Sequence, residues 1–183
     1  MSRCAESGAG MTFPAIAKRI GVPFTAAATA LAVDQACKLI AVAVLMQPDP
    51  RINPITSFFN LTLAYNSGIS FGLFRDHLSE ASSAFAILSV YVAAALLWWG
   101  AHCRRKSDKA AFGMISGGAV GNALDRLRQG TVTDFLDFHV GGWHWPTFNL
   151  ADVAIVVGAA LIVVRALVPA SGLDPTSMGN KGA

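Results

Sequence analysis

Residues 81–101 read ASSAFAILSVYVAAALLWWGA, with no Asp, Glu, Lys or Arg. A helix needs about 20 mostly apolar residues to cross the hydrocarbon core of a bilayer. This stretch meets that demand, and the rest of the chain is read around it. Three further runs qualify. The first, about 20–46, is interrupted by Asp34-Gln35 and Lys38. The others are a short Gly-rich run at 110–124 and a run at about 150–168. The predicted fold is therefore a membrane α-helical protein of four transmembrane helices. Composition agrees. Of 183 residues, 54 % are hydrophobic and 14 % charged, against about 25 % charged in a soluble domain. The mean hydropathy is +0.50. A disordered chain is excluded, and a soluble enzyme could not hide this much apolar surface.

Charge placement gives the expected orientation. Lys18 and Arg19 precede the first span, and Arg104, Arg105, Lys106 and Lys109 crowd the loop between the second and third. In the 47–80 loop, Arg51 and Arg75 are balanced by Asp49, Asp76 and Glu80. The positive-inside rule then places both termini and the 102–109 loop in the cytoplasm and the two larger loops outside. The basic cluster is read as a topology signal, so the net charge of +3 does not point to nucleic acid. The first span shows no cleavage site and reads as retained. The expected organisation is a cytoplasmic tail (1–19), one membrane domain (20–168) and a disordered cytoplasmic tail (169–183). Cys4, Cys37 and Cys103 form no C-x-x-C pair, and an odd count argues against a disulfide framework.

The outer loops carry structure. Residues 61–66 alternate as a strand does, Asn66-Ser67-Gly68 is a turn signal, and Phe71–Phe74 is an apolar return. Residues 75–83 predict a short surface helix. Residues 131–148 read as strand, Gly141-Gly142 turn, strand.

Ionisable residues within spans cost about 2.5–3.5 kcal/mol each on insertion scales, so each requires a reason. Asp34 and Lys38 are four apart on one helix face, an arrangement suited to an internal ion pair. Asn122, Asp125 and Arg126 share a face behind the run Gly117-Gly118-Ala119-Val120-Gly121. They read as packing and capping groups, or as a network that holds a nearby loop. In the strand 132–140, Asp134 falls on the face of Val132, Leu136, Phe138 and Val140. Asp137 and His139 fall on the other face. A carboxylate on an apolar face has a raised pKa unless it is paired, and backbone donors or Arg126 are the candidate partners. Asn149 and Asp152 suit a helix N-cap and its N3 acid, yet they also share one face at the outer membrane level. Brought together there, Asp134 and Asp152 can share one proton, activate water with one carboxylate and protonate a substrate carbonyl or leaving amine with the other. A metal site at Asp134, Asp137, His139 and His144 matches no strong ligand spacing, so no metal and no cofactor are expected. His77 and His102 read as loop residues. Two other readings compete. A proton or solute translocator would use Asp34, Asp125 and Asp152 as a relay, but Asp125, Asp134 and Asp152 cluster near one surface and only Asp34 lies deeper, instead of the acids spreading through the bilayer. An assembly factor would use all the polar groups as packing glue.

Five blocks in order make the chain resemble the lipoprotein signal peptidase (signal peptidase II) family. They are Asp34-Gln-Ala-Cys-Lys38, Asn60-Leu-Thr-Leu-Ala-Tyr-Asn66-Ser-Gly68, Gly117-Gly-Ala-Val-Gly-Asn122-Ala-Leu-Asp125-Arg126, Val132-Thr-Asp134-Phe and Phe148-Asn149-Leu-Ala151-Asp152. The resemblance implies a bacterial inner-membrane aspartic endopeptidase with Asp134 and Asp152 as its catalytic pair. It implies support or substrate-contact roles for Asn66, Gly68, Asn122, Arg126, Asn149 and Ala151, and structural roles for Asp34, Lys38 and Asp125. It implies an extracytoplasmic β-sheet cradle and cleavage of diacylglyceryl-modified prolipoproteins just before the lipidated cysteine. Membrane lipids and globomycin-type inhibitors are the other implied partners; nothing demands more than a monomer. One departure is Ile69-Ser70 where the family usually has Ala-Ala, which bears on specificity and not on the proposed catalytic groups. Leu73, Phe74 and Trp143 are candidates for a clamp over the peptide.

Overall fold

The computed structural model of the chain describes residues 13–46, 52–67 and 78–168. Four long helices, α1 (Phe13–Leu45), α2 (Leu78–His102), α3 (Lys106–Gln129) and α4 (Leu150–Leu167), are joined by four short strands, two between α1 and α2 and two between α3 and α4. The strands are β1 (Ile52–Pro54), β2 (Phe59–Asn66), β3 (Val132–Val140) and β4 (Trp143–His144), in one antiparallel sheet ordered β1-β2-β3-β4. Three helices contain stretches long and apolar enough to cross a membrane: Ile20–Leu45, Ser82–His102 and Leu150–Leu167. Helix α3 is as long but much less apolar, and it packs against each of the other three. A helix lined by protein, not lipid, does not need an apolar surface all round.

Boundaries differ from expectation where the sequence lacks a stop signal. The first span falls at Ile20–Leu45 as expected, but its helix α1 begins earlier, at Phe13, because Pro14 in a first turn breaks no hydrogen bond. Of the expected surface helix at 75–83, Leu78 onward belongs to α2; residues 75–77, like Gly68 and the 71–74 return, lie outside the described residues. His102 is the last residue of α2, not a loop residue, and bonds the Trp98 carbonyl through Nδ1 at 2.7 Å. Strand β1 carried no signal at three residues. The Gly141-Gly142 turn takes positive φ at both positions, 58° and 85°, as a two-residue hairpin turn requires.

Glycines on α3 set how closely the bundle packs. A Cβ on Gly117 would collide with the Ala27 carbonyl of α1, and one on Gly118 with the Ala151 carbonyl of α4. At Gly121 it would stand 2.7 Å from the Asp34 carboxylate. Gly117→Ala is therefore expected to lower stability in detergent by about 1–3 kcal/mol. Gly21→Ala, where nothing lies within 4 Å, should be neutral or slightly stabilising because alanine is the better helix former. Equal thermal midpoints for the two variants would refute the packing argument.

The sheet is fastened to the bundle by an apolar cluster of Ala41 and Leu45 from α1 with Leu63 and Phe135. Pairing of β2 with β3 sets Asn60 opposite Asp137, Ala64 opposite Asp134 and Asn66 opposite Val132, with a bulge between Leu61 and Ala64. The expected division of β3 into an apolar buried face and a mixed face fails. Val132 to Phe135 are buried on both sides, whereas farther along Asp137 is buried and Phe138 and Val140 are exposed. The first half lies against α1 and α3, and the second half projects beyond them.

Candidate active site

Asn149 is the hub of the polar interior. Its backbone is extended, with φ −132° and ψ −179°, and its side chain caps α4 by accepting from the Asp152 amide at 3.1 Å. Asp152 answers by accepting from the Asn149 amide at 3.2 Å, which completes a capping box. The two sequence readings of this pair thus hold together: a helix cap and a shared polar face. The Asn149 Nδ2 group then donates outward, to Asp134 Oδ1 at 2.6 Å and to Asn122 Oδ1 at 3.1 Å. One fully buried residue therefore bonds both carboxylates, Asp134 from its side chain and Asp152 from its backbone N–H.

Asn122 closes the circuit. Its Nδ2 donates to Asp152 Oδ1 at 2.8 Å, while its Oδ1 accepts from Lys38 Nζ at 3.0 Å. An ammonium has donors only, so Lys38 fixes which end of the Asn122 amide faces Asp152. Lys38 is buried between two carboxylates, Asp34 at 2.9 Å and Asp125 at 2.8 Å. Asp34 also accepts from the Ala151 amide at 2.8 Å, one of the first-turn N–H groups of α4 that has no partner within the helix. Asp125 accepts from the Thr133 amide at 3.1 Å, next to Asp134. The network joins α1, α3, β3 and α4, so its members hold one another in place.

The Asp134 carboxyl is pushed up from 3.8 to about 6. Burial is the main cause, and the neighbouring Asp152 charge adds to it. Hydrogen bonds from Asn149 and Asn66, and the more distant Lys38, work in the opposite direction. Asp137, three residues along the strand, goes the other way. Burial raises it too, but hydrogen bonds from Asn60, His144 and Thr62 and the charge of His144 outweigh burial and hold it below the usual range.

Arg126 does not bond Asp134. Its Nη1 donates to the Asn122 carbonyl at 3.5 Å, and its buried Nε has no partner among the described residues. Asp137, Asn60 and the two histidines form a second cluster. Asp137 bonds His144 Nδ1 at 2.8 Å and Asn60 Nδ2 at 3.0 Å, and the His139 and His144 rings stack at 4.9 Å. Asp134 stands apart from it, and no group of three potential ligands suited to a metal occurs among the described residues. Gln35 was not singled out from the sequence. It donates to Asp125 at 3.1 Å and accepts from Arg128 at 3.2 Å. Its position beside Asp34 was the only available signal. Asn60 carries no local signal of its own, and its contact with Asp137 follows from strand register.

The result is a bundle with helices of membrane-span length, capped by a small sheet, in which Asn149 and Asn122 link the Asp134 and Asp152 carboxylates where bundle and sheet meet. Residues 26–168 match the family model described as Signal peptidase (SPase) II, and the chain belongs to that family of proteases. It is similar to the lipoprotein signal peptidase of Cupriavidus taiwanensis, 43 % identical over 135 residues, covering 73 % of this chain and 76 % of the relative. The Paraburkholderia phymatum lipoprotein signal peptidase is 48 % identical over 110 residues, covering 60 % of this chain and 66 % of the relative. Among solved structures, a bacterial membrane enzyme determined in meso at 1.9 Å superposes with TM-score 0.68 and 28 % identity, over 83 % of this chain and 96 % of that one. A second such enzyme, at 24 % identity and TM-score 0.66 over 90 % and 94 % of the two chains, shares the fold.

Proposed function

We propose that this protein removes the signal peptide from diacylglyceryl-modified prolipoproteins, cutting just before the lipidated cysteine, with Asp134 and Asp152 activating the attacking water. The observation that carries this reading is that one buried residue, Asn149, donates to both carboxylates, from its side-chain Nδ2 to Asp134 and from its backbone N–H to Asp152. A pair so placed holds one proton, because two adjacent carboxylates resist double ionisation. Burial favours that proton on Asp134. The ionised Asp152 accepts a proton from water as its oxygen attacks the scissile carbonyl, while Asp134 donates to the carbonyl oxygen. The resulting tetrahedral diol then collapses. The C–N bond breaks as Asp152 gives the proton it took from water to the leaving nitrogen and a diol hydroxyl returns a proton to Asp134, so an acid and an amine depart with the pair restored to one proton.

Asn66, Gly68, Asn122, Arg126, Asn149 and Ala151 support or contact substrate in this reading, and Asp34, Lys38 and Asp125 hold the frame. Residues 20–168 form the working unit, with α3 as the fourth span. The termini lie in the cytoplasm and the site at the outer face of a bacterial inner membrane. Lipid confinement of the substrate raises its effective concentration at such a site. The protein acts as a monomer, and globomycin-type peptides bind there.

The test is a gel-shift cleavage assay on a diacylglyceryl-modified prolipoprotein, using purified protein in detergent. Cleavage is expected with the lipidated precursor; none by well-folded protein would sink the reading. The pair also sets a pH limb. Because Asp134 must carry the proton, kcat/KM is expected to fall as pH rises through about 6. A pH–rate profile flat across that value would contradict the assigned role.

A further inference from the structure

The far half of the β3–β4 hairpin has two faces of opposite character. Along Phe138-His139-Val140 and Trp143-His144-Trp145, aromatic and aliphatic residues alternate with histidine. The histidine side leads to the buried Asp137. The other side, with Phe58, Phe148 and the edge of His139, lines a groove that is otherwise wholly apolar. Its rings are already arranged: Phe138 stacks on Phe148 at 5.9 Å, and Trp143 meets Trp145 edge-on at 5.9 Å. Yet Trp143 is 62 % exposed, Trp145 56 % and Val140 74 %. Exposed aromatic surface of this kind marks an interaction site.

The level of the groove identifies what covers it. Helix α4 has 18 residues and is about 27 Å long, barely the thickness of the hydrocarbon core. Its N-terminal end therefore lies at the bilayer surface. Phe148 directly precedes the α4 cap and is tied to Leu136 by backbone bonds of 2.9 and 3.1 Å. The Trp145 amide bonds the Phe138 carbonyl at 2.8 Å. The hairpin is thus held within a few residues of the level at which α4 enters the membrane. No Asp, Glu, Lys or Arg occurs from Phe138 to Ala151, so nothing in this segment opposes contact with lipid. Tryptophan rings favour that depth.

We infer that the aromatic face of the β3–β4 hairpin is a lipid-binding surface, seated at the glycerol level of the leaflet that meets the N-terminal end of α4. Its occupant is phospholipid of the surrounding bilayer. Contact there braces the projecting half of the sheet.

The chain has four tryptophans, Trp98, Trp99, Trp143 and Trp145. A Trp98→Phe/Trp99→Phe variant leaves only the hairpin pair fluorescent. The full-length variant is reconstituted in phosphatidylcholine–phosphatidylglycerol vesicles. Phospholipid brominated near the glycerol end of its acyl chains should quench the emission about two-fold, and aqueous iodide should quench it little. Three results would overturn the inference: quenching by iodide but not by brominated lipid, shielding that grows with protein density and so reports a second copy, or shielding that appears only on adding precursor peptide.

Discussion

Cleavage of a lipidated precursor by the Asp134→Asn protein is expected to fall by about 1,000-fold or more, because general acid–base groups contribute about 10²–10⁴ each and members of one unit fail together. Asparagine keeps the shape and can still meet Asn149, so the loss should appear in kcat and not in the fold. Stability separates this from a structural effect. The folded Asp134 pKa lies near 6, above its ordinary 3.8. The folded state therefore binds the proton more tightly, and the stability this adds is present at acid pH and lost as pH rises from about 4 through about 6. The asparagine variant should lack that slope and be no less stable at neutral pH. Asp137→Asn supplies the contrast. The folded pKa of Asp137 is lowered, so its contribution is present above the ordinary carboxylate value and fades as pH falls through the folded one. That variant should cleave normally but lose stability at neutral pH. If Asp134→Asn cleaved at the wild-type rate, water activation by this pair would be wrong.

Lys38→Met is the substitution expected to damage the fold most. It preserves much of the length and leaves the Asp34 and Asp125 carboxylates buried without their shared cation. Breaking a buried ion pair from one side costs about 3–5 kcal/mol. The Asn122 amide also loses the contact that orients it, so whatever folded protein remains should cleave poorly. Removing charge from both sides should reverse part of this. Lys38→Met combined with Asp34→Asn and Asp125→Asn is expected to unfold at a higher temperature than Lys38→Met alone. No recovery in calorimetry would mean that Lys38 acts through packing and not through charge.

Much of this arrangement was legible from residue spacing. The apolar runs gave the helices, and the four-residue step from Asp34 to Lys38 gave their ion pair. The glycines of α3 announced close packing, and Gly141-Gly142 announced the hairpin. What spacing could not give was the third dimension. Periodicity placed Asn122 on a face of α3 but had no means of showing that Lys38 reaches it from α1, or that Gln35 bonds Asp125. The alternation along β3 was correct, but its reading as buried against mixed was not. Which side of a strand is covered depends on where it leaves the bundle, and Phe138 and Val140 lie beyond that point. Asn149 offered two readings, cap or site, that local sequence treats as rivals. One amide serves both because its two ends bond in different directions.

The polar network also has a bearing on biosynthesis. Lys38, Asn122, Asp134 and Asp152 come from α1, α3, β3 and α4 in turn, so the proposed pair does not exist in a nascent chain whose last helix has yet to emerge. Arrival of α4 delivers Asp152, the Asn149 amide and the Ala151 N–H that engages Asp34 in a single docking event. Until then an inserting polypeptide holds Asp134 without its counterpart, so the proposed pair is completed last in the order of synthesis.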